Sequence, residues 1–313
     1  MNSNDLIGRL ISHLGLNEKD VLGLIRRAPF TYKVYTIPKK TGGNRVIAQP
    51  ARETKYIQNW LIDHIFLALP VHERSMAYKK KIGLINNVLP HKNNKYLAKF
   101  DFKDFFHSIK FLDLVNHFNK HLHHLLSEAE IQYVARVACI KQRDSGSLCL
   151  SVGAPSSPLL SNSFMFEFDS AMDEWCQENE IIYTRYADDL TFSTNISGAT
   201  NKIQQTIVGI LSLKYPNLFL NHDKSIQLSN KNRRRVTGLI ITNQQRISVG
   251  RDRKRMVTSM IHKFSIGELR AEDVFYLQGM LGFIKSVEPT FLVSMNRKYG
   301  HDLLTKIISI RKE

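Results

Sequence analysis

Cysteine is scarce in this sequence, and long hydrophobic runs are missing from it. The 313 residues contain three cysteines, Cys139, Cys149 and Cys176, which are too few and too scattered for a disulfide framework or a cysteine-based zinc site. Their scarcity is consistent with a reducing compartment, and we expect the cytoplasm. There is no apolar run of about eighteen residues and no basic-then-apolar leader, so we expect neither a membrane span nor a secretory signal.

Acidic residues are also few relative to basic ones. The chain has 28 Asp and Glu against 44 Lys and Arg, which leaves a formal net charge of +16. Such an excess favours a polyanionic partner, and without a membrane signature it favours nucleic acid over an acidic lipid surface. Hydrophobic residues make up an ordinary 43%, so we expect order through most of the chain, in one large domain or about two to three subdomains.

Two adjacent carboxylates lie in the middle of a strand-forming stretch. Residues 182–193 read Ile-Tyr-Thr-Arg-Tyr-Ala-Asp-Asp-Leu-Thr-Phe-Ser, which predicts two short strands joined by a tight turn. Asp188 and Asp189 then share a hairpin tip, where two like charges are costly to desolvate without a cation. Oxygen ligands of this kind suit Mg²⁺ or Mn²⁺ and not zinc. Taken alone, this pair is better explained as a solvated turn.

A second carboxylate site upstream changes that balance. Residues 96–101 form an apolar, strand-like run that ends at Asp101, and aromatic residues follow directly. One strand that delivers a carboxylate, together with a hairpin that delivers two more, is the arrangement needed to hold two divalent ions on a transferring phosphoryl group. The sequence therefore predicts a phosphoryl-transfer site at Asp101, Asp188 and Asp189.

These motifs together resemble those of reverse transcriptases. Asp101 falls where that family has its first metal-binding aspartate, and residues 186–189 fall where it has its catalytic tetrapeptide. Asn87 and His91 match the asparagine and histidine of the N-A-x-x-H element typical of retron reverse transcriptases, with valine in place of the alanine. Residues 236–238, Val-Thr-Gly, match a second retron signature.

The resemblance covers roughly residues 30–290 and extends to group II intron and other bacterial reverse transcriptases. It implies an α+β fold, namely a right-hand polymerase with palm, fingers and thumb and a small helical N-terminal extension. The expected domains are the helical extension at 1–28, interleaved fingers and palm at 29–235, a primer-grip-like hairpin at 236–250 and a helical thumb at 251–313.

For the catalytic centre, the resemblance implies two Mg²⁺ ions, with Mn²⁺ as the alternative. Asp101, Asp188 and the backbone of Phe102 would hold these ions, and Asp189 would support the site. Lys224 matches the lysine that the family places near the departing pyrophosphate, where general-acid help is physically reasonable. As a lone lysine it is otherwise an ordinary surface residue.

For nucleotide binding, the resemblance points first to a basic hairpin and to an aromatic residue. The predicted hairpin at residues 32–48 has a glycine-bearing tip, where Arg45, with Lys39 or Lys40 beside it, would bind the triphosphate. Phe106 falls in the place of the bulky residue that abuts the sugar, so it would clash with a ribose 2′-hydroxyl and favour deoxynucleotides. An ordinary basic hairpin and a core phenylalanine are the alternatives.

A loop in the middle of the chain completes the expected nucleotide site. Residues 148–162 are similar to the family's L-P-Q-G-A-P-x-S-P loop, which contacts the template and the nucleotide. Val152 and Gly153 are its candidate nucleotide-binding residues, since glycine lets the backbone approach a base pair. Ser151-Val152 stands where Pro-Gln is usual, which removes a polar side chain near the nucleotide.

RNA binding is expected at the two retron elements and at the start of the thumb. The thumb would hold the duplex through phosphates and the RNA minor groove. The candidate RNA-binding residues are Asn87, His91, Arg235, Val236, Thr237, Gly238, Arg253 and Arg255.

The function that the resemblance implies is that of a retron reverse transcriptase. It would copy part of a structured non-coding RNA into a short single-stranded DNA, starting from a 2′-hydroxyl and leaving a branched RNA–DNA product. The expected partners are that RNA, the DNA made from it, dNTPs and an effector protein in anti-phage defence, with no membrane. The alternatives are a template-independent abortive-infection polymerase and a non-catalytic RNA-binding scaffold, although the latter fits poorly with three retained aspartates.

Overall fold

The structure is a computed structural model that describes residues 5–38, 42–229, 232 and 234–311. It combines helices with short antiparallel strands. In chain order these are α1 (Leu6–Leu14), α2 (Glu18–Arg27), β1 (Tyr32–Pro38), β2 (Asn44–Pro50), α3 (Arg52–His64), α4 (Leu84–Val88), β3 (Tyr96–Asp101), α5 (Phe105–Ser108), α6 (Phe111–Leu122), α7 (Glu128–Ala138), β4 (Ile140–Lys141), β5 (Leu148–Cys149), α8 (Ser157–Phe164), α9 (Phe166–Glu178), β6 (Ile182–Tyr186), β7 (Asp189–Thr194), α10 (Ile203–Lys214), β8 (Ile226–Leu228), β9 (Arg234–Val236), β10 (Leu239–Ile241), β11 (Ile247–Ser248), α11 (Arg251–Ser265), α12 (Ala271–Val287), α13 (Pro289–Tyr299) and α14 (His301–Ser309).

The predicted N-terminal helices are confirmed, and their caps explain where they begin. The Asp5 carboxylate accepts from the Gly8 amide ahead of α1, and the Asn17 side chain accepts from the Asp20 amide ahead of α2. Such caps satisfy amide groups that have no partner within the helix. The buried faces of both helices join the same core as the central sheet.

A four-stranded antiparallel sheet, in the order β6-β7-β3-β8, lies at the centre of that core. Its inner strands are buried on both faces, which explains why residues 96–101 and 189–194 are rich in apolar and β-branched residues. Helix α9 contacts β6, and Phe168 of this helix packs edge-on against Phe102, directly after β3. The sheet therefore holds the ends of β3 and β7 in a fixed register.

The ribbon β1–β2 projects from this core as an exposed hairpin, with Pro38 paired to Asn44 near its tip. Lys39 and Lys40, the candidate triphosphate ligands, lie outside the described residues. Within the part of the chain that is described, no helix is both long enough and apolar enough to cross a bilayer.

The C-terminal third has a second core. The small sheet β9-β10-β11 and helices α11–α14 pack together in it, and Val88 of α4 and Leu97 of β3 reach into it from the rest of the chain. The helical character expected after residue 251 is confirmed, whereas the domain boundaries themselves stay predictions.

The sequence predicts helices through residues 112–141 and one long helix from Pro158 to about Asn179, and both predictions were wrong in detail. The long helix predicted after Pro158 is broken at Met165, whose ψ of 5° departs from helical geometry. The helical stretch predicted to reach Lys141 ends at Ala138, and strand β4 follows. The hairpin predicted at 236–250 is present as β10 and β11, and β9 adds a third strand that begins at Arg234.

Candidate active site

The candidate catalytic carboxylates meet at one end of the central sheet. Strands β3 and β7 are antiparallel neighbours, and their register places Asp101 directly opposite Asp189. Strands β6 and β7 are joined through Ala187 and Asp188, so the predicted hairpin with its aspartates at the tip is confirmed. The amide of Phe102 donates to the Asp188 carbonyl over 3.1 Å, which ties the turn to the end of β3.

These carboxylates repel one another in a partly dry environment. Burial, followed by the charges of Asp101 and Asp189, raises the pKa of Asp188 to about 6. Burial also raises the pKa of Asp189, against the favourable charge of Lys99, and Asp101 adds to the increase. The raised pKa values show that a cation at this end of the sheet would relieve a real electrostatic cost.

Lys224 supplies such a cation in this structure. Its ammonium Nζ donates to Asp101 Oδ1 over 2.7 Å, and the Asp101 side chain is almost completely buried. Burial by itself would lower the pKa of Lys224, but the bond to Asp101 and the three nearby carboxylates raise it. Lys224 is therefore held on a candidate metal ligand, and it lies in a short 3₁₀ turn at His222–Lys224.

The donor chemistry of this site fits a hard divalent cation, although the geometry is not that of a filled metal site. Among the described residues, no three His, Cys, Asp or Glu side chains are arranged to hold a metal ion as they stand. Carboxylate oxygens are the ligands that such cations prefer. The Lys224 ammonium occupies Oδ1 of Asp101, so a metal ion that binds through that oxygen would displace it.

The candidate nucleotide-binding loop packs directly against the ribbon. The Ala48 amide of β2 donates to the Val152 carbonyl over 2.8 Å. Gly153 has a φ of 123°, and a Cβ atom there would lie 2.9 Å from the Ala48 carbonyl oxygen. Glycine was expected here to let a base pair approach. In this structure, the close approach of β2 already requires a residue without a Cβ atom.

Two candidate nucleotide ligands lie apart from this loop. Arg45 is an exposed residue of β2, near the tip of the ribbon. Phe106 is half-buried in α5, where its ring packs edge-on against Phe105 at the margin of the main core. Phe102 and Phe105 are core residues.

Sequence reasoning missed Tyr78, which lies beside the catalytic turn. Burial, and then the charge of Asp188, raise the pKa of Tyr78, while Arg45 opposes the increase. Half of the surface of Tyr78 is exposed. Its φ of 61° is unusual for a bulky residue, and no sequence pattern predicts that conformation.

The two retron elements meet in space, which the sequence gave no means to derive. Asn87 Nδ2 donates to Thr237 Oγ1 over 3.5 Å. Thr237 and Gly238 both have positive φ and form the tight turn between β9 and β10. Arg253 of α11 donates from Nη1 to the Gly238 carbonyl over 2.7 Å, so the same turn is bound by the C-terminal helices.

The buried members of these elements are not accessible for direct RNA contact in this structure. Asn87, His91 and Val236 have no exposed surface and so present no atom to an RNA. The ring nitrogens of His91 instead pair with Thr184 of β6 and Ser193 of β7, at 2.8 and 2.7 Å.

The remaining candidate RNA ligands differ in how accessible they are. Arg235 and Arg255 are exposed, and Thr237 and Gly238 are half-buried. Arg253 is occupied by the Gly238 carbonyl and lies 5.6 Å from the centre of the Phe283 ring. Arg235 and Arg255 are therefore the candidates that keep a free surface for phosphate.

Comparison with known proteins assigns this arrangement to a family. Residues 37–241 match the reverse transcriptase (RNA-dependent DNA polymerase) family. The chain is 37% identical to the retron Ec83 reverse transcriptase of Escherichia coli over 302 residues, which are 91% of this chain and 92% of that protein. It is 31% identical to the retron Ec73 reverse transcriptase of Escherichia coli over 305 residues, which are 94% of this chain and 95% of that protein.

Among solved structures, the chain is similar to apo telomerase from Candida Tropicalis truncated from its C-terminal domain, with 17% sequence identity and a TM-score of 0.46. The match covers 75% of this chain and 60% of that chain. The fold assignment rests on the family match and not on that superposition. The chain is a reverse transcriptase, and hence an RNA-directed DNA polymerase of the right-hand fold from a family that works with divalent metal ions. Within that class it belongs to the retron reverse transcriptases.

Proposed function

We propose that this reverse transcriptase copies part of a structured non-coding RNA into a short single-stranded DNA. Synthesis would start from a 2′-hydroxyl of a guanosine in the same RNA and leave a branched RNA–DNA product. The enzyme would act in the cytoplasm, in anti-phage defence, together with an effector protein. The likeness to retron enzymes over nine-tenths of the chain supports this proposal, and the buried free thiols of Cys139, Cys149 and Cys176 agree with a reducing compartment.

The observation that carries the polymerase site is the register of β3 and β7. It places Asp101 opposite Asp189, next to the turn that presents Asp188. Asp101, Asp188 and the Phe102 backbone would hold two Mg²⁺ ions, or Mn²⁺, with Asp189 in support. When bound, these ions lower the pKa of the primer hydroxyl and neutralise the triphosphate.

The chain's own residues would orient the other reactants. Arg45, with Lys39 and Lys40, would hold the triphosphate, while Val152 and Gly153 line the nucleotide. Lys224, released from Asp101, would face the departing pyrophosphate and donate a proton to it. A lysine ammonium is ordinarily protonated at neutral pH, so it can supply that proton.

The first test removes the carboxylates. We expect Asp101→Ala and Asp188→Ala each to abolish dNTP incorporation on an RNA template and to leave RNA affinity unchanged within about threefold, because phosphate contacts dominate that affinity. Filter binding of the co-purified RNA supplies the second measurement. Retained incorporation by the double variant would refute the proposed site, and incorporation without any template would favour the abortive-infection alternative.

The second test concerns the sugar. Phe106→Ala should raise incorporation of ribonucleotides relative to deoxynucleotides by about tenfold or more, because the ring would no longer block a 2′-hydroxyl. Phe105→Leu is the control, since Phe105 is a core residue beside it. An unchanged ratio in a folded Phe106→Ala protein would show that Phe106 only packs.

A further inference from the structure

Arg185, three residues before Asp188, is the largest fully buried side chain among the described residues. Its guanidinium makes a two-pronged pair with Asp169 of α9, from Nε to Oδ1 over 2.8 Å and from Nη2 to Oδ2 over 2.6 Å. Neither side chain has any exposed surface. Planar arginine matches a carboxylate in this way, whereas lysine offers only a point charge.

The third nitrogen of Arg185 reaches the catalytic turn itself. Nη1 donates to the Ala187 carbonyl over 3.0 Å and to Asn162 Oδ1 over 3.3 Å. Asn162 in turn donates to the Ala77 carbonyl over 2.8 Å, and the Tyr183 hydroxyl donates to Asp169 over 2.7 Å. Every nitrogen of the guanidinium therefore has an acceptor, so its orientation is fixed.

Ala187 needs such support because of its backbone. Its φ is 58°, in the left-handed region that a residue with a Cβ rarely adopts, and Asp188 follows directly. Strained backbone of this kind persists only where the surroundings hold it. Since a buried ion pair is in general weak evidence for stability, a role in orientation accounts better for the Arg185–Asp169 pair.

We propose that Arg185, held by Asp169 and Asn162, is a positioning residue that fixes the Ala187 carbonyl and thereby aims the Asp188 carboxylate at the metal site. The inference rests on the proposed role of Asp188 in metal binding. Arg185 lies behind the turn, bonded to Asp169, Asn162 and the Ala187 carbonyl, and its contribution acts through the backbone.

The decisive variant is Arg185→Lys, which keeps a positive charge beside Asp169 but cannot reach Asp169, Asn162 and the Ala187 carbonyl at once. We expect kcat for dNTP incorporation to fall about tenfold or more, with KM for dNTP within about threefold of the wild-type value. Direct Mn²⁺ binding, followed by electron paramagnetic resonance without substrate, should weaken about tenfold, because the carboxylate is no longer aimed.

Arg74→Lys is the matched control. Arg74 pairs with Asp173 over 2.9 Å, one turn farther along the same helix. Its backbone carbonyl accepts from the Arg185 amide, whereas its side chain pairs with Asp173 and Glu73. This variant should keep wild-type Mn²⁺ affinity and kcat. The proposal is overturned if folded Arg185→Lys keeps both values too, or if both lysine variants lose activity to the same extent.

A second variant keeps the proposal testable if Arg185→Lys does not fold. Arg185→Met combined with Asp169→Leu removes both buried charges, and such replacements often leave stability intact. A folded double variant should still bind Mn²⁺ about tenfold more weakly and show the lower kcat, because the Ala187 carbonyl has lost its donor. Wild-type Mn²⁺ affinity in that protein would instead assign the pair a purely structural role.

The same experiment separates this inference from the proposed metal site. If wild-type protein and Asp188→Ala bind Mn²⁺ equally, the site itself is wrong. If Asp188→Ala loses Mn²⁺ while Arg185→Lys does not, the site stands and the positioning role of Arg185 fails.

Discussion

At the scale of single residues, His91 illustrates how a histidine in a signature element can be structural. Its imidazole joins both strands of the catalytic hairpin through Thr184 and Ser193, and burial, with a smaller contribution from Arg74, lowers its pKa to about 3. The folded protein thus binds fewer protons here than the unfolded chain, whose histidine has a pKa of about 6.5. The stabilisation is complete above that pH and is lost as the pH falls from 6.5 towards 3.

We predict that His91→Gln flattens this acid dependence of the unfolding free energy. The shifted pKa of His91 contributes on the order of 4 kcal/mol to the unfolding free energy at neutral pH, since each pKa unit corresponds to about 1.4 kcal/mol. Urea unfolding between pH 4 and pH 7 measures it, with the exposed His123→Gln as the control. An unchanged slope in folded His91→Gln would contradict the assignment.

Gly153 gives a second prediction at this scale. Gly153→Ala should destabilise the protein by about 1–3 kcal/mol, because the new Cβ would meet the Ala48 carbonyl and φ is unfavourable for alanine. Gly279→Ala in α12 is the control: nothing lies within 4 Å of its added Cβ, so it should stabilise by about 0.5–1 kcal/mol. Equal unfolding midpoints for the two variants would argue against the close approach of β2.

At the scale of elements, Glu288 joins the small C-terminal sheet to the helices behind it. Its Oε2 accepts from the Ser248 hydroxyl at 2.9 Å and from the Val249 amide at 3.1 Å, and Oε1 pairs with Lys254. Glu288→Gln should lower stability by about 1–2 kcal/mol, since bonds to a charged acceptor are stronger than neutral ones. Glu272→Gln, in an exposed pair with Arg270, should change it by less than about 0.5 kcal/mol in thermal unfolding.

At the scale of the whole molecule, the net charge of +16 predicts RNA binding that weakens steeply with salt. Arg255→Gln should weaken the binding of RNAs of different sequence alike and reduce the slope of log K against log salt by about 1. Arg270→Gln is the control, because its guanidinium is already paired with Glu272 and Asp273. Equal slopes for wild type and Arg255→Gln would remove Arg255 from the RNA-binding surface.

The sequence alone was sufficient for the chemistry of the active site. Short local patterns of β-branched, aromatic and acidic residues predict the turn at Asp188 and the strand that ends at Asp101. Strands and turns of this kind depend on a few neighbouring residues, and the net charge is the sum over the charged residues. The acidic residues were predicted from these patterns, and the α+β fold and the polymerase class from the resemblance to reverse transcriptases that the motifs carry.

Only the tertiary structure decided which partners those residues have. The Lys224 ammonium on Asp101, the Arg185 guanidinium on Asp169 and the Ala48 carbonyl against Gly153 join positions that are 123, 16 and about 100 residues apart. The same holds for His91, which was predicted to bind RNA from its place in a motif and is buried. Burial and desolvation depend on how distant segments pack, and a linear pattern carries no measure of that.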